Sequence, residues 1–196
     1  MKSKTKQVVK ALLIVLALFF LLFFSFYVFF EETSKNTDFK NQDLLDVDFA
    51  SGNNIKLKNT LPISDKIGKE FDGKGVSEGI IGYTEFSIKN IDSSAVNYEV
   101  YLTKDVVETS ELSERYVKLY LTDDNNNALE GFNKNRIPDF SSLSVQRDNP
   151  SGFILFKSYI KAFESEKFRL RVWLSDTYAI NNNEESFKFH INIKAV

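Results

Sequence analysis

Residues 168–174 read FRLRVWL and residues 187–194 read FKFHINIK, and these two stretches decide the fold. In each of them apolar side chains recur at every second position, which is the period of a β-strand that buries one face. The residues predicted to point into the core are Phe168, Leu170, Val172 and Leu174 in the first stretch, and Phe187, Phe189, Ile191 and Ile193 in the second. The sequence therefore predicts two long strands, each with one buried face.

The same alternation marks further strands along the chain. Four are predicted at residues 84–90, 98–102, 116–121 and 153–160, and two weaker ones at residues 55–57 and 80–81. Segments rich in Asn, Asp and Ser, which favour tight turns, separate them without helical crossovers, and a short helical turn is predicted at residues 108–115. These patterns predict an all-β fold, an antiparallel β-sandwich of the immunoglobulin-like type or, as the second choice, a jelly roll.

Residues 11–30, ALLIVLALFFLLFFSFYVFF, form an apolar stretch of 20 residues without a charge. As a helix this stretch would be about 30 Å long, which is the thickness of the hydrocarbon core of a bilayer. Four lysines precede it and two glutamates follow it, so the positive-inside rule places residues 1–10 in the cytoplasm. The sequence predicts a single-pass protein of the cell membrane, with a lipid-embedded anchor at 11–30, a stalk at 31–43 and an extracellular β-sandwich at 44–196.

A cleaved secretory signal peptide is the alternative interpretation of the same stretch. A basic start and an apolar centre are common to both, but the apolar run is longer than the roughly 7–15 residues of a typical signal peptide. Its last residues, Tyr27, Val28, Phe29 and Phe30, are bulky where signal peptidase requires small side chains. An uncleaved anchor is therefore the preferred prediction.

Composition excludes several classes of function. The absence of cysteine excludes disulfides, thiol nucleophiles and Cys-ligated metals, and a single histidine leaves little material for acid–base or zinc chemistry. Four of the 25 basic residues precede the apolar stretch, which leaves 21 against 27 acidic residues in the rest of the chain, so no nucleic-acid partner is expected. We expect no enzyme, cofactor or metal; a glycosidase with a carboxylate pair is the remaining enzymatic alternative, for which no residues are singled out.

One face of the strand at residues 168–174 is the candidate partner-binding surface. Arg169, Arg171 and Trp173 lie on the face opposite the predicted core residues. Stacking of a guanidinium on an indole would give a rigid, partly apolar surface suited to a protein or glycan partner. The preferred alternative is a central strand whose outer face is covered by a loop.

Asp123, Asn125 and Asn127 have the spacing of the first half of an EF-hand calcium loop. The sixth position of such a loop should be Gly and the twelfth Glu, but here they are Ala128 and Lys134. The sequence therefore predicts a hairpin loop rather than a calcium site.

Three long loops are the other places where binding residues could lie, because loops carry function more often than core strands do. They are predicted at residues 61–79, 123–135 and 176–185, and the pattern does not choose among them. His190 alternates with core residues and is predicted to be a solvated surface side chain.

Three segments, FSIKN at 86–90, NYEV at 97–100 and FRLRVWLSD at 168–176, resemble those of exported, uncharacterised proteins of Firmicutes. Proteins of this group have an N-terminal anchor or signal followed by a β-sandwich. The first two segments are also similar to those of camelysin-like and biofilm-fibre proteins, whose jelly-roll domains assemble by donating a strand. The resemblance covers residues 80–196 and implies no catalytic residue. This chain differs from the fibre proteins in having no evident cleavage site.

The sequence thus favours a non-enzymatic membrane protein that presents a β-sandwich for binding or assembly at the bacterial cell surface. The second hypothesis is a structural subunit of an extracellular fibre or envelope complex, which would self-associate by exchange of a strand. In that case the last strand, at residues 187–196, would be the one donated.

Overall fold

The computed structural model of this chain describes residues 44–73, 80–107, 110–132, 137–180 and 185–196. The chain divides into two units, Met1–Asp43 and Leu44–Val196, and every described residue belongs to the second. The predicted anchor and stalk lie outside the described residues. Within the described ranges, no helix has the length and apolar character needed to cross a membrane.

Most of the regular elements of the second unit are strands. In chain order they are β1 (Leu45–Phe49), β2 (Asn54–Lys58), β3 (Ile81–Asn90), β4 (Val96–Lys104), β5 (Ser110–Glu111), β6 (Val117–Asp123), β7 (Ser144–Val145), β8 (Gly152–Ile160), β9 (Ser165–Leu174) and β10 (Glu185–Ala195). One short α-helix, α1 (Asp65–Glu70), and two 3₁₀ turns, Glu114–Tyr116 and Phe140–Ser142, complete the described elements. The predicted all-β class is confirmed.

These strands form two sheets. Sheet A has the order β1-β3-β9-β6, and all of its neighbours are antiparallel. Sheet B has the order β2-β10-β4-β8-β7, also antiparallel, and the two-residue strand β5 pairs with β10 in the parallel direction.

Both sheets contribute to one hydrophobic core. Phe168 of β9 links them, because its ring lies 5.3 Å from that of Phe86 in sheet A and 5.0 Å from that of Phe156 in sheet B. All eight residues predicted to face the core from β9 and β10 are buried. Since each fully buried large apolar side chain stabilises a fold by about 1.5–3 kcal/mol, this shared core is the main source of stability.

The structure differs from the sequence prediction in three segments. Within the helical turn expected at 108–115, the described residues form β5 and the start of the 3₁₀ turn Glu114–Tyr116. The loop expected at 61–79 contains α1, which the pattern did not reveal because Gly68 in its middle lowers helix propensity by about 1 kcal/mol. Strand β1 was not predicted either, since Asp46 and Asp48 make it look like a polar connection.

The C-terminal strand β10 lies inside sheet B. It pairs with β2 along Ser186–His190 and with β4 along Phe189–Ala195, so both of its edges are engaged by its own chain. Phe187 and Phe189 are fully buried. Donation of this strand to another copy would therefore remove two aromatic rings from the core.

The strands give the unit two ends. At the end that we call the Leu44 end, the backbone N–H of Ile91 donates to the Leu44 carbonyl at 3.0 Å, and the β8–β9 turn lies beside the β3–β4 turn. β9 finishes at the other end, which we call the Leu174 end, where β10 begins. A strand of ten residues separates the two ends by about 33 Å.

Candidate functional site

The structure places the three predicted surface residues on a face that is largely covered. β9 lies between β3 and β6 in sheet A. Trp173 is 0% exposed and Arg171 is 3% exposed, whereas Arg169 is half-buried. This is the second of the two arrangements considered from the sequence, a central strand with a covered outer face.

The cover is the segment from Ile63 to Phe71, which includes α1. The N–H of Ile63 donates to the carbonyl of Leu174 at 3.0 Å, and Ile63 and Phe71 pack against the buried Trp173. A Cβ atom at Gly68 would lie 2.4 Å from Cδ2 of the Trp173 indole. Only a glycine lets the helix backbone approach the ring this closely. Helix α1 therefore packs directly on the Trp173 indole at Gly68.

Arg171 ties the cover to the sheet. Its guanidinium donates to three neutral acceptors, the carbonyl of Phe71, Oγ1 of Thr122 at 3.0 Å and Oδ1 of Asn126 at 3.1 Å. Within the described ranges no carboxylate forms an ion pair with it, and burial lowers the pKa of its guanidinium. The buried arginine therefore connects the cover to sheet A through hydrogen bonds to neutral oxygen atoms, without an ion pair.

Arg169 is the most accessible of the three residues, but its charge is engaged. Its Nε lies 3.1 Å from Oε1 of Glu85, and its Nη1 donates to the carbonyl of Asp124 at 2.9 Å. Glu85 also accepts a hydrogen bond from Tyr83, which holds the pKa of Glu85 below its ordinary value. Burial, and then this bond, raise the pKa of Tyr83 to about 12.

The outer face of sheet B carries many lysines, and we call it the lysine face. It presents five of them, Lys56, Lys58, Lys157, Lys188 and Lys194, of which Lys56 is directly opposite Lys188 in the β2–β10 register. Two carboxylates lie among them: Glu99 is within 2.5 Å of Lys157, and Asp105 is within 3.2 Å of Lys188. This face is positively charged in a domain that is acidic as a whole.

Glu99 is the buried charge of the lysine face. Burial alone would raise the pKa of its carboxyl, but hydrogen bonds from Lys157 and Gln146 outweigh burial and hold the pKa below its ordinary value. His190 is half-exposed on the same face, with Nδ1 2.9 Å from Oδ1 of Asp105. Glu99 is thus ion-paired with Lys157, and His190 is hydrogen-bonded to Asp105.

The Asp123 loop closes on itself. Oδ1 of Asp123 accepts the backbone N–H groups of Asn125 and Asn127 at 2.9 and 2.8 Å, and Oδ2 accepts the side chain of Asn127 at 3.0 Å. The Asp123 carboxylate therefore stabilises the turn. In the part of the chain that the structure describes, no group of three His, Asp or Glu side chains is arranged to hold a metal ion.

A pocket of about 210 Å³ opens at the Leu174 end, and we call it the end pocket. It brings together two of the three loops predicted as binding sites, since Leu61 comes from the first and Tyr178, Ile180 and Glu185 from the last. The third loop instead borders a separate cleft of about 570 Å³, where Glu166 accepts the hydroxyl of the buried Tyr98 at 2.5 Å.

The walls of the end pocket combine apolar residues with polar ones, namely Asn59, Thr60 and a hydrogen-bonded polar pair. Leu57, Leu112 and Leu174 line it, and Leu61 and Ile180 line it while remaining exposed to solvent.

The polar pair is Tyr178 and Glu185, whose Oη and Oε2 atoms are 2.7 Å apart. Burial and the hydrogen bond with Glu185 raise the pKa of Tyr178 to about 12, so it stays a neutral donor at all physiological pH values. The pocket can therefore receive an apolar group and offer a hydrogen-bonding pair at one side.

Sequence reasoning missed this pocket because its residues come from several separate segments. Its sequence signal is weak: Leu61 and Ile180 are apolar residues in two separate predicted loops. Comparison of the chain with protein-family models, with curated proteins and with solved structures finds no match. What the protein binds has to be inferred from its own residues.

Proposed function

We propose that this chain is a non-enzymatic, single-pass bacterial membrane protein that displays an extracellular β-sandwich to bind a protein partner at the cell surface. The apolar residues 11–30 would hold it in the bilayer, with residues 1–10 in the cytoplasm. Two antiparallel sheets around one core support a sandwich of the immunoglobulin-like or jelly-roll type.

The position of the end pocket carries the proposal. The pocket lies at the Leu174 end, whereas the chain arrives from residues 31–43 at the Leu44 end, about 33 Å away. A pocket at the end opposite to the tether is the one best exposed to a partner outside the cell.

The dimensions of the pocket favour one side chain as its occupant. A volume of about 210 Å³ is below the roughly 300–1,000 Å³ of pockets that hold drug-sized ligands. The exposed Leu61 and Ile180 extend the apolar surface beyond the pocket, as expected where an apolar anchor residue of a protein partner docks. A protein is therefore preferred to a glycan as the partner.

The membrane part of the proposal is tested by topology and processing together. A C-terminal tag on the full chain is exposed to protease on intact cells, and the mature N-terminus is read by mass spectrometry. An intact Met1 end together with an accessible tag is the expected result. A mature chain that starts beyond Phe30 would mean a released protein and would contradict the anchor.

The binding part is tested by photo-crosslinking on intact cells. A photoreactive amino acid replaces Leu61 or Ile180, and the control replaces Val106, which is 98% exposed at the same end but does not line the pocket. We expect Leu61 and Ile180 to give the same crosslinked partner and Val106 to give none. The same bands from all three positions would show that the contact is nonspecific.

A further inference from the structure

Phe163 has a backbone conformation that a bulky residue rarely adopts. It is the third residue of the four-residue turn between β8 and β9, in which the N–H of Glu164 donates to the carbonyl of Lys161 at 3.2 Å. Its φ is +62°, and among the described residues the other two non-glycine residues with positive φ are both Asn. Gly or Asn is the ordinary choice at such a position, because an aromatic side chain there strains the backbone.

This strained turn is held in place by Asn90. The buried side chain of Asn90 donates to the carbonyls of Ile160 and Lys161 at 3.2 and 3.1 Å, and its backbone N–H donates to that of Glu164 at 3.0 Å. Burial does not explain the aromatic ring, because Phe163 is 66% exposed. A rigid turn thus presents an exposed ring at a conformational cost, and such strain commonly marks function.

A second exposed apolar residue lies at the same end of the unit. Ile91 follows Asn90 directly, is 49% exposed, and donates its backbone N–H to the carbonyl of Leu44 at 3.0 Å. We call Ile91 and Phe163 the apolar tip. Lys89 and Lys161 are exposed beside it. The tip therefore lies where the chain enters the unit from its N-terminal side.

We propose that the apolar tip inserts into the headgroup region of the bilayer that holds residues 11–30, and so directs the end pocket away from the membrane. This inference rests on the proposed anchor. The 13 residues from 31 to 43 reach at most about 45 Å when extended, so the tip stays within reach of the bilayer surface. Exposed aromatic rings with lysines beside them suit the interface between lipid and water.

The small size of the tip favours a bilayer over a second copy of the chain. Two side chains bury far less than the roughly 1,200 Å² that a stable protein interface requires. Contact with a bilayer needs less buried area, because the proposed anchor keeps the tip at a high effective concentration next to the membrane surface. A weak contact is then enough to orient the unit.

The test uses the full chain in nanodiscs of equal parts phosphatidylcholine and phosphatidylglycerol, with and without brominated acyl chains. Phe163→Trp places a fluorophore at the tip, and Val106→Trp places one at the opposite end as the control; the native Trp173 is buried and gives a common background. We expect brominated lipid to quench the emission of F163W and to leave that of V106W unchanged. Equal emission of F163W in both lipids would overturn the inference.

Two further readouts separate the remaining outcomes. If the full chain does not co-elute with nanodiscs, the proposed anchor fails; if it co-elutes without quenching of F163W, only the tip proposal fails. A concentration-dependent change in F163W emission in lipid-free detergent would show that a second copy covers the tip, and would overturn the bilayer as its occupant.

Phe163→Gly is a variant that we expect to keep the fold, since the ring that it removes is largely exposed. Glycine adopts positive φ without strain, so we expect F163G to raise Tm while it frees the tip from the bilayer. Release is read as increased reactivity of Lys161 toward an amine-labelling reagent in nanodiscs, compared with the wild type. Unchanged Lys161 reactivity in F163G would contradict the proposal.

Discussion

The outer faces of the two sheets look alike in sequence and differ completely in structure. On sheet A, Arg171 and Trp173 alternate with core residues and are buried under α1 and its flanking segment. On sheet B, Lys188 and Lys194 alternate with core residues in the same way, and they remain at least partly exposed. Strand alternation defines which face is inward, but a distant segment decides whether the outward face is closed.

The chemistry of the two faces follows from this difference. The covered face holds its arginine with neutral acceptors and aromatic rings, as the hydrogen bonds of Arg171 show. The lysine face tolerates Lys56 directly opposite Lys188, because water and nearby carboxylates screen the two charges. Substitutions should therefore be costly at the covered residues of sheet A, Arg171 and Trp173, and mild at the exposed lysines of sheet B.

The largest effect is expected from Gly68→Val. A side chain at this position would collide with the Trp173 ring and lift α1 from sheet A, at a cost of about 3 kcal/mol. Thermal unfolding should show a Tm several degrees below that of the wild type, while the control Lys58→Ala on the lysine face should leave Tm nearly unchanged. Equal Tm values for G68V and wild type would mean that the cover is not seated on Trp173.

The next effect is expected from Arg171→Met, compared with Arg169→Met on the same strand. Loss of the buried guanidinium leaves the acceptors at Phe71 and Thr122 without this donor, while Asn126 keeps its hydrogen bond from Arg169; the change should cost about 2–3 kcal/mol. Arg169 is half-exposed, so its replacement should cost less than about 1 kcal/mol. Urea denaturation measures the free energy of unfolding of both variants. Similar losses of stability in R171M and R169M would contradict a cover that buries Arg171 and leaves Arg169 accessible.

A smaller effect concerns the pH dependence of stability on the open face. The pKa of Glu99 is lower in the folded protein than in the unfolded chain, so the folded state is stabilised above the unfolded pKa of about 4.3. This contribution is lost as the pH falls through the lowered, folded pKa. Between pH 6 and 3, the free energy of unfolding should therefore fall less in Glu99→Gln than in the wild type. Parallel profiles would show that Lys157 and Gln146 do not stabilise the ionised carboxyl.

The smallest effect is expected from Lys56→Glu. This change replaces a like-charged pair with Lys188 by an opposite-charged pair, which should stabilise the unit by about 0.2–0.5 kcal/mol at low salt. Added salt should remove the gain, because the pair is solvent-exposed. A loss of stability comparable to that of G68V would mean that the lysine face is covered after all.

The predictable part of this structure is the part that depends on neighbours in sequence. Alternation located β9 and β10 and their core residues because the period of a strand is local. The alternation pattern assigned Arg169 and Trp173 to the same outward face, although Arg169 is accessible to solvent and Trp173 is not. The cover depends on contacts across about a hundred residues, between α1 and β9, and its key residue, Gly68, reads as a loop signal in sequence.

The end pocket could not be predicted from local sequence pattern either, because it too depends on long-range contacts. Its two exposed apolar residues, Leu61 and Ile180, lie more than a hundred positions apart in the sequence and line one pocket only in the folded unit. Phe163 had no special signal either, because an exposed Phe in a polar turn is unremarkable until its φ of +62° is known. Local pattern therefore predicted the scaffold, and tertiary contacts created the candidate sites.

Strand β1 has a mechanical consequence. It joins the unit through five register pairs with β3, from Leu45 opposite Asn90 to Phe49 opposite Phe86, and the chain enters it at the Leu44 end. Tension applied to Leu44 along the strand axis loads these pairs together in shear, instead of peeling them apart one after another. A load applied between the Leu44 end and the Leu174 end therefore does not unravel the sheet from its first strand.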